Sequence, residues 1–335
     1  MPHPSFEEVF GQKSISIDFP LRKKPRAILL TGSKGMVGNS VAKALNSLQK
    51  SGVLTDTKLL LCSREWSKED ERSWERNCNL ELIANTDISK IQDQVEIVIH
   101  TASPSNITKI DSYEELHYSN IGILEEILRL EPKKFIYISS GEVYKKDPTI
   151  EGTSHKHFLK SNKRDWYPMV KLETEMRLEK LTLEGRFDAA VLRLFHTYGP
   201  GVKRKDGRSF ADILWGATLD GEITLHSSGK QVRSFLYLSD AVEAIIKVSF
   251  AIAPGYFVAN LGSEVPVTIR EFAEEVSSIT GARINLNMNS EFDHSPNDHL
   301  VPIIQNMKSY DWSPKVENKL GIERTIAWIK KSIYQ

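Results

Sequence analysis

The chain has few of the features that mark secreted, membrane or nucleic-acid-binding proteins. Its only cysteines, Cys62 and Cys78, are too few for a disulfide framework and favour a reducing compartment. Its 44 basic residues balance 44 acidic ones, so no net charge attracts nucleic acid or acidic lipid. No apolar run reaches membrane-spanning length, and the N-terminus lacks the apolar core of a signal peptide. We therefore expect a cytoplasmic protein without nucleic-acid or membrane partners.

The sequence also lacks a metal-binding pattern and internal repeats. Its nine histidines form neither a His-Glu-x-x-His motif nor a Cys/His cluster, so we expect no metal site. His155 and His157 stand among Gly, Thr and Lys residues and are interpreted as part of a loop. A chain of 335 residues can bury a full core, which indicates one large domain or two.

Short apolar runs alternate with amphipathic segments along most of the sequence. We predict strands at 27–31, 58–62, 81–84, 95–101, 134–139, 189–194 and 256–260. We predict helices at 36–50, 112–130, 166–184, 208–219, 239–250, 268–280 and 320–333. This alternation predicts an α/β fold of the Rossmann type, with a doubly wound parallel sheet and right-handed crossovers. Residues 1–24 show no clear period and form an N-terminal extension.

A glycine-rich turn joins the first predicted strand to the first long helix. Gly32 permits a tight turn, Gly35 lets the backbone approach a pyrophosphate, and Gly38 lets the helix pack closely on the strand. The positive end of the helix then attracts the phosphates. The turn therefore predicts a dinucleotide site, with Gly-x-x-Gly-x-x-Gly spacing in place of the commoner Gly-x-Gly-x-x-Gly.

Tyr167 and Lys171 lie four residues apart on a predicted helix and so share one face of it. A lysine ammonium beside a phenol favours the phenolate, so we expect Lys171 to lower the pKa of Tyr167. A phenol tuned in this way can exchange a proton with a substrate hydroxyl near neutral pH. An ordinary surface pair is the alternative, but the upstream glycine turn and the Ser139-Ser140 pair favour catalysis.

The second predicted strand ends in residues that bear on the choice of cofactor. An NAD site usually has an acidic residue here to bind the adenosine ribose. This chain has Ser63 and Arg64 instead, a hydroxyl and a guanidinium that suit a 2′-phosphate. We therefore expect NADP or NAD, with NADP slightly favoured; the alternative is an arginine that simply faces water.

These motifs together resemble those of the extended short-chain dehydrogenase/reductases, in the branch of nucleotide-sugar epimerases, dehydratases and decarboxylases. The likeness covers roughly residues 26–330 and rests on segments 31–38, 87–88, 100–103, 137–144, 193–200, 206–208 and 231–235. It implies catalytic roles for Ser140, Glu142, Tyr167 and Lys171, and substrate contacts by His196, Arg208 and Arg233. It implies cofactor contacts by Gly32, Gly35, Met36, Val37, Gly38, Ser63, Arg64, Asp87, Ile88, Thr101, Ala102, Ser103, Asn120, Tyr167 and Lys171.

The resemblance also implies how the chain is divided and with what it associates. A Rossmann domain would hold residues 25–194 plus about 232–262, and a smaller substrate lobe would hold 195–231 and 263–335. The active site would lie in the cleft between them, where a nucleotide-diphosphate sugar would bind. Many relatives pair through two long helices, here 112–130 and 166–184, so we expect a homodimer.

The chemistry implied by the resemblance passes through a 4-keto-hexose. Tyr167 would take the C4 hydroxyl proton as C4 passes a hydride to the nicotinamide, and Glu142 would then be a base for the C5 proton. We place 4,6-dehydration slightly ahead of 4-epimerisation. The alternatives are an NADPH-dependent 4-keto-sugar reductase and a non-catalytic scaffold that senses a dinucleotide.

Several positions depart from the family pattern. His196 stands where Asn is usual, and Gly141 precedes Glu142 where dehydratases often have Asp, Ser or Thr. The usual glycine one turn after Asn120 is displaced to Gly122. The segment 294–298 lacks the arginine typical of the decarboxylases, which argues against decarboxylation of a uronic acid.

Overall fold

The structure, a computed structural model, describes residues 3–11, 23–74, 77, 79–103, 112–144, 166–251, 253–287 and 299–333. Cys78, His155, His157 and the segment 294–298 lie outside these residues. Helices α1 to α11 span Phe6–Phe10, Met36–Lys50, Lys68–Trp74, Tyr113–His117, Ile123–Leu128, Trp166–Leu183, Ser209–Leu219, Leu238–Ala251, Ile269–Thr280, Gln305–Lys308 and Asn318–Ile333. Strands β1 to β14 span Ala27–Thr31, Lys58–Ser63, Leu80–Ala84, Val95–His100, Lys134–Ser140, Asp188–Leu194, Thr197–Tyr198, Glu222–Leu225, Val232–Arg233, Leu236–Tyr237, Tyr256–Leu261, Val267–Thr268, Arg283–Leu286 and His299–Leu300.

Seven of these strands form one parallel sheet, in the order β11-β6-β5-β4-β1-β2-β3. They are the seven strands predicted from the sequence, so the doubly wound Rossmann-type fold is confirmed. The strand order reverses between β1 and β4, and in such sheets a crevice opens there at the carboxyl ends of the strands. The fold therefore places the glycine turn, which follows β1, beside the residues that follow β4.

The two faces of the sheet are covered by separate apolar layers because side chains alternate along each strand. Ile28 and Leu30 of β1 point to one layer, which includes residues of α2 and α8 and is called the first core below. Leu29 points to the other layer, which includes residues of α5 and α6. Burial on both faces explains why the central strands read as continuous apolar runs.

A second core lies beyond the sheet and holds α7, α9 and α11 together. Aromatic rings dominate it: Phe235 stacks on Phe272 at 4.3 Å, and Tyr198 meets Phe272 edge-on at 5.7 Å. The segment 263–335 is not confined to this core. Met307 and Trp312 pack into the first core instead, and the Trp312 indole donates to the Asp240 carbonyl at 3.0 Å.

The N-terminal extension contains a short helix that the sequence did not reveal. Ser5 and Glu8 form a reciprocal capping box at the start of α1, and Val9 and Phe10 are buried against the first core. Glu8 also pairs with Lys331 of α11 at 2.6 Å. Residues 3–11 thus join the sheet layer to the last helix. None of the helices described is long and apolar enough to cross a membrane.

Candidate active site

A cavity of about 480 Å³ opens where the glycine turn meets the carboxyl ends of β5 and β6. Most of the residues singled out from the sequence line it. They are Gly35, Met36, Val37, Gly38, Thr101, Ser103, Ser140, Glu142, Tyr167, Lys171, His196 and Arg208. The fold therefore gathers side chains from widely separated parts of the chain into one site.

The other predicted site residues lie outside this lining. They are Gly32, Ser63, Arg64, Asp87, Ile88, Ala102, Asn120 and Arg233. Asp87 pairs with Lys90 at 2.6 Å, and Ile88 is fully buried in the second layer of the sheet. The Arg233 side chain donates to the Val232 carbonyl at 2.8 Å. Their cofactor and substrate contacts remain predictions.

The glycine turn has the close contacts that a dinucleotide site requires. Gly32 has a φ of 73°, and a Cβ there would lie 2.6 Å from the Ala102 nitrogen. A Cβ on Gly38 would lie 2.2 Å from the Gly32 carbonyl oxygen, so the helix can approach the strand only without a side chain. Gly35 caps α2 without a side chain, which leaves the first N–H groups of a 15-residue helix available to an anion. The turn therefore fits the pyrophosphate of a nicotinamide dinucleotide.

The adenosine side of the turn carries an ion pair that sequence reasoning missed. Ser63 ends β2 and is half-buried, and Arg64 is exposed beside it. Lys34 of the turn pairs with Asp70 of α3 at 2.7 Å. Burial of Asp70 opposes its ionisation, but hydrogen bonds from Lys34 and Ser67 prevail and lower its pKa to about 2. An acidic group therefore does lie near the turn, although it does not follow β2 directly.

Tyr167 and Lys171 lie side by side on α6, with the Lys171 nitrogen 5.7 Å from the centre of the Tyr167 ring. The ammonium also lies 4.8 Å from the Tyr137 ring centre and donates to the Ile138 carbonyl at 3.0 Å. Burial lowers the pKa of Lys171 to about 7.

The expected lowering of the pKa of Tyr167 by Lys171 does not occur. Burial raises the pKa of Tyr167, because a phenolate loses its hydration there. The nearby hydroxyls of Ser103 and Ser140, and then the charge of Arg208, oppose this effect. The sequence spacing of Tyr167 and Lys171 could not show how these groups weigh against burial.

A short turn after β5 carries Glu142 into the cavity. Ser140 precedes this turn, and its hydroxyl accepts a hydrogen bond from the Glu142 nitrogen at 3.1 Å. Gly141 faces the Phe195 ring so closely that a Cβ there would lie 2.9 Å from three ring carbons. Phe195, which sequence reasoning missed, therefore leaves no room for a side chain at position 141.

Positive groups also line the cavity. Lys203 and Arg208 line it, and the Arg208 guanidinium makes a forked pair with Asp206 at 2.5 and 2.8 Å. Burial, followed by the charges of Arg233 and Arg208, lowers the pKa of His196 to about 3, so its imidazole is neutral at pH 7. Among the residues described, no group has the donor set of a metal site. The Lys203 and Arg208 side chains suit an anionic ligand such as a diphosphate.

The helix that borders the cofactor turn contains one turn of π-helix, Tyr118–Gly122, between α4 and α5. The Asn120 amide donates to the Leu116 carbonyl at 2.8 Å inside this turn. A Cβ on Gly122 would meet the Tyr118 ring at 3.4 Å. Gly122 is the last residue of this π turn.

Comparison with known proteins identifies the family of this chain. A sequence model described as the NAD dependent epimerase/dehydratase family matches residues 28–257. UDP-glucuronic acid decarboxylase 1 of Xenopus tropicalis is 25% identical over an alignment of 339 positions, which covers 98% of this chain and 78% of that protein. UDP-glucuronic acid decarboxylase 3 of Arabidopsis thaliana is 25% identical over an alignment of 303 positions, which covers 88% of this chain and 86% of that protein.

Two solved structures illustrate the similarity of fold. UDP-glucose 4-epimerase from Thermotoga maritima, solved with UDP-glucose, has a TM-score of 0.76 at 21% identity, covering 92% of this chain and 99% of that one. dTDP-glucose 4,6-dehydratase from Bacillus anthracis, solved with NAD, has a TM-score of 0.74 at 19% identity, covering 92% and 97%. With more than half of its length matched by the family model, this chain belongs to the NAD-dependent epimerase/dehydratase family of extended short-chain dehydrogenase/reductases.

Proposed function

We propose that this protein is a 4-epimerase of a nucleotide-diphosphate hexose that works through a 4-keto intermediate. The observation that carries the proposal is the cavity itself. It brings Ser140, Tyr167 and Lys171 together beside the glycine turn, and Lys203 and Arg208 line the same cavity. These two cations could hold the diphosphate of a sugar that reaches the hydroxyl, phenol and amine.

Each of the three catalytic candidates has a role that its surroundings support. Tyr167 takes the proton of the C4 hydroxyl and later returns it, and the bound nicotinamide supplies the acceptor for the C4 hydride. Ser140 orients the C4 oxygen, and its hydroxyl also favours the ionised form of Tyr167. Lys171 places a cation beside the phenol.

The contact between Gly141 and Phe195 supports epimerisation over dehydration and reverses the order that the sequence suggested. A 4,6-dehydratase needs a base at C5 and an acid that protonates the departing C6 oxygen. Glu142 can be the base, but Gly141 offers no acid, and Phe195 fills the space that such a side chain would need. A 4-epimerase needs neither group, since the ketone only turns over before the hydride returns.

Two other activities have a specific observation in their favour. The curated relatives at 25% identity are UDP-glucuronic acid decarboxylases, which favours decarboxylation of a nucleotide uronic acid. Ser63 and Arg64 at the end of β2 favour NADP, and with it reduction of a 4-keto sugar. Solved structures of similar fold contain NAD, which supports NAD as the cofactor instead of NADP.

We also propose that the protein is a cytoplasmic homodimer.

The mass of the product distinguishes these activities in one assay. The purified protein is incubated with UDP-hexoses, dTDP-hexoses and UDP-glucuronic acid, each with added NAD or NADP, and separately with a nucleotide 4-keto-hexose and NADPH. The nucleotide sugars are analysed by chromatography and mass spectrometry. Epimerisation gives a new peak of unchanged mass. Loss of water indicates dehydration, loss of carbon dioxide indicates decarboxylation, and a gain of two hydrogens on a 4-keto substrate with NADPH indicates reduction; any of these as the main product would overturn the proposal.

A further inference from the structure

A buried ion pair lies directly behind the candidate catalytic helix. Glu175 follows Lys171 by one turn of α6, and Arg193 of β6 donates to its carboxylate from Nη2 at 2.6 Å and from Nε at 3.2 Å. The side chains of Arg193 and Glu175 are only 3% and 1% exposed. The Ser139 hydroxyl donates to the same carboxylate, so the pair contacts the strand that ends in Ser140.

The pair is anchored on its far side as well. Arg193 donates from Nη1 to the Tyr144 hydroxyl at 3.0 Å, and that hydroxyl donates to Asn260 at 2.7 Å. The Tyr256 hydroxyl donates to the backbone carbonyl of Glu175 at 3.2 Å. These bonds join α6 to β5, β6 and β11, so the Glu175 carboxylate has little freedom to rotate away.

The surroundings of Lys171 contain rings, a carbonyl and one carboxylate among the residues described. His100 stacks on Tyr137 at 5.6 Å, and burial followed by the charge of Lys171 lowers its pKa to about 3, so it is neutral. The titratable or charged groups around the ammonium are Tyr167 and Glu175 on α6, Tyr137 on β5, His100 on β4 and, beyond Glu175, Arg193 on β6.

We propose that Glu175 is a positioning residue: it supplies the counter-charge for the Lys171 ammonium, and Arg193 and Ser139 hold it in place. The inference rests on the proposed function, in which Lys171 acts as a cation. Burial lowers the pKa of Lys171, and Glu175 is the group that opposes this change. Without Glu175 the ammonium loses its proton at a lower pH, and Tyr167 loses the cation beside it.

Nuclear magnetic resonance of the resting protein tests the coupling without any substrate. The Lys171 side-chain signal, assigned by its absence in Lys171→Met, is titrated in the wild type and in Glu175→Gln. The pKa of Lys171 should fall by about 1, the lower end of the range for loss of a nearby opposite charge. Glu179→Gln, which removes an exposed carboxylate one turn further along α6, should leave it unchanged.

Glu175→Gln leaves Arg193 buried without its partner and can unfold the protein for that reason. The double variant Glu175→Gln with Arg193→Met removes both charges, and in it the pKa of Lys171 should still fall, by a smaller amount because a positive charge is also lost. An unchanged or higher pKa of Lys171 in the folded variants would overturn the proposal, whether or not a nucleotide sugar is the substrate.

The pH profile of the reaction gives a second readout. In Glu175→Gln the decline of kcat on the alkaline side should begin at a lower pH, by the same amount as the pKa of Lys171, and acidification should restore part of the activity. A uniform loss of rate at every pH would show a purely structural role and contradict the proposal. If no sugar turns over while the titration result holds, the proposed function fails and the coupling stands.

Discussion

Single side chains decide which chemistry the cavity allows, and Phe195 is the clearest case. Its ring lies against Gly141 and, in the proposed mechanism, leaves no room for the acid that dehydration requires. The sequence shows Gly141 but not its cause, because the contact depends on how the turn after β5 meets the residue that follows β6. A sequence pattern does not reveal contacts between segments that are distant in sequence.

Gly141→Ser should destabilise the protein, since the new Cβ overlaps the Phe195 ring and Gly141 does not have the positive φ that would strain the backbone by itself. Overpacking of this kind costs about 1–3 kcal/mol in the free energy of unfolding, measured in urea. Adding Phe195→Leu should recover part of the loss. Gly122→Ala, whose Cβ meets only ordinary contact at 3.4 Å, is the matched control. If Gly141→Ser lowers the free energy of unfolding equally with Phe195 and with Leu at position 195, the steric explanation is wrong.

Arg64 tests the preference for cofactor. If Ser63 and Arg64 bind a 2′-phosphate, Arg64→Ala should weaken binding of NADPH by about 1.5–3 kcal/mol, the range for a hydrogen bond to a charged group. Binding of NADH should barely change, and it is the internal control. Titration of nicotinamide fluorescence measures both dissociation constants. The interpretation is wrong if both cofactors lose equally or if the wild type prefers NADH.

Helices and strands with a strong apolar period could be predicted closely. All seven predicted strands of the sheet are found within one residue of their predicted bounds. The central strands are mostly apolar and buried on both faces, whereas the edge strands β3 and β11 are only partly buried. The helix predicted at 112–130 contains the π turn at 118–122, which no sequence period reveals. Helix α1 was missed because it has only five residues, and its burial comes from tertiary packing.

Helix α1 should contribute to stability through Phe10, which is buried in the first core. Phe10→Ala removes a ring from a packed site, and we expect a loss of about 3 kcal/mol in the free energy of unfolding. Glu7→Ala, an exposed position on the same helix, should change it by less than about 0.5 kcal/mol. Equal stability of Phe10→Ala and the wild type would show that α1 is not held in solution.

The molecule as a whole presents apolar side chains on the two helices that the family resemblance assigns to a dimer interface. Tyr118 is 78% exposed and Met176 is 60% exposed. If these helices pair between two copies, Met176→Glu should convert dimer into monomer in sedimentation velocity at micromolar concentration. Leu320→Glu, which alters an exposed apolar residue on α11, should leave the dimer intact. A wild-type protein that sediments as a monomer would count against the homodimer.

The division into two lobes stays a prediction. The second core of α7, α9 and α11 agrees with a separate C-terminal lobe, but Met307 and Trp312 return to the first core. Their short segment has no helical or strand period long enough to show which layer it joins. The predicted site residues that line the cavity, in contrast, belong to motifs with a fixed spacing, whereas Phe195 and Lys203 also line it and were not predicted.

The fate of deuterium at C4 tests the proposed reaction most directly. A nucleotide hexose labelled with deuterium at C4 is incubated with the protein and its cofactor, and the product is analysed by nuclear magnetic resonance and mass spectrometry. We expect an epimer of unchanged mass with the deuterium still at C4, because the hydride leaves and returns within one site. Tyr167→Phe should slow this about 10²–10⁴-fold while nucleotide binding persists. Loss of the label, loss of water or carbon dioxide, or wild-type turnover in Tyr167→Phe would contradict the mechanism.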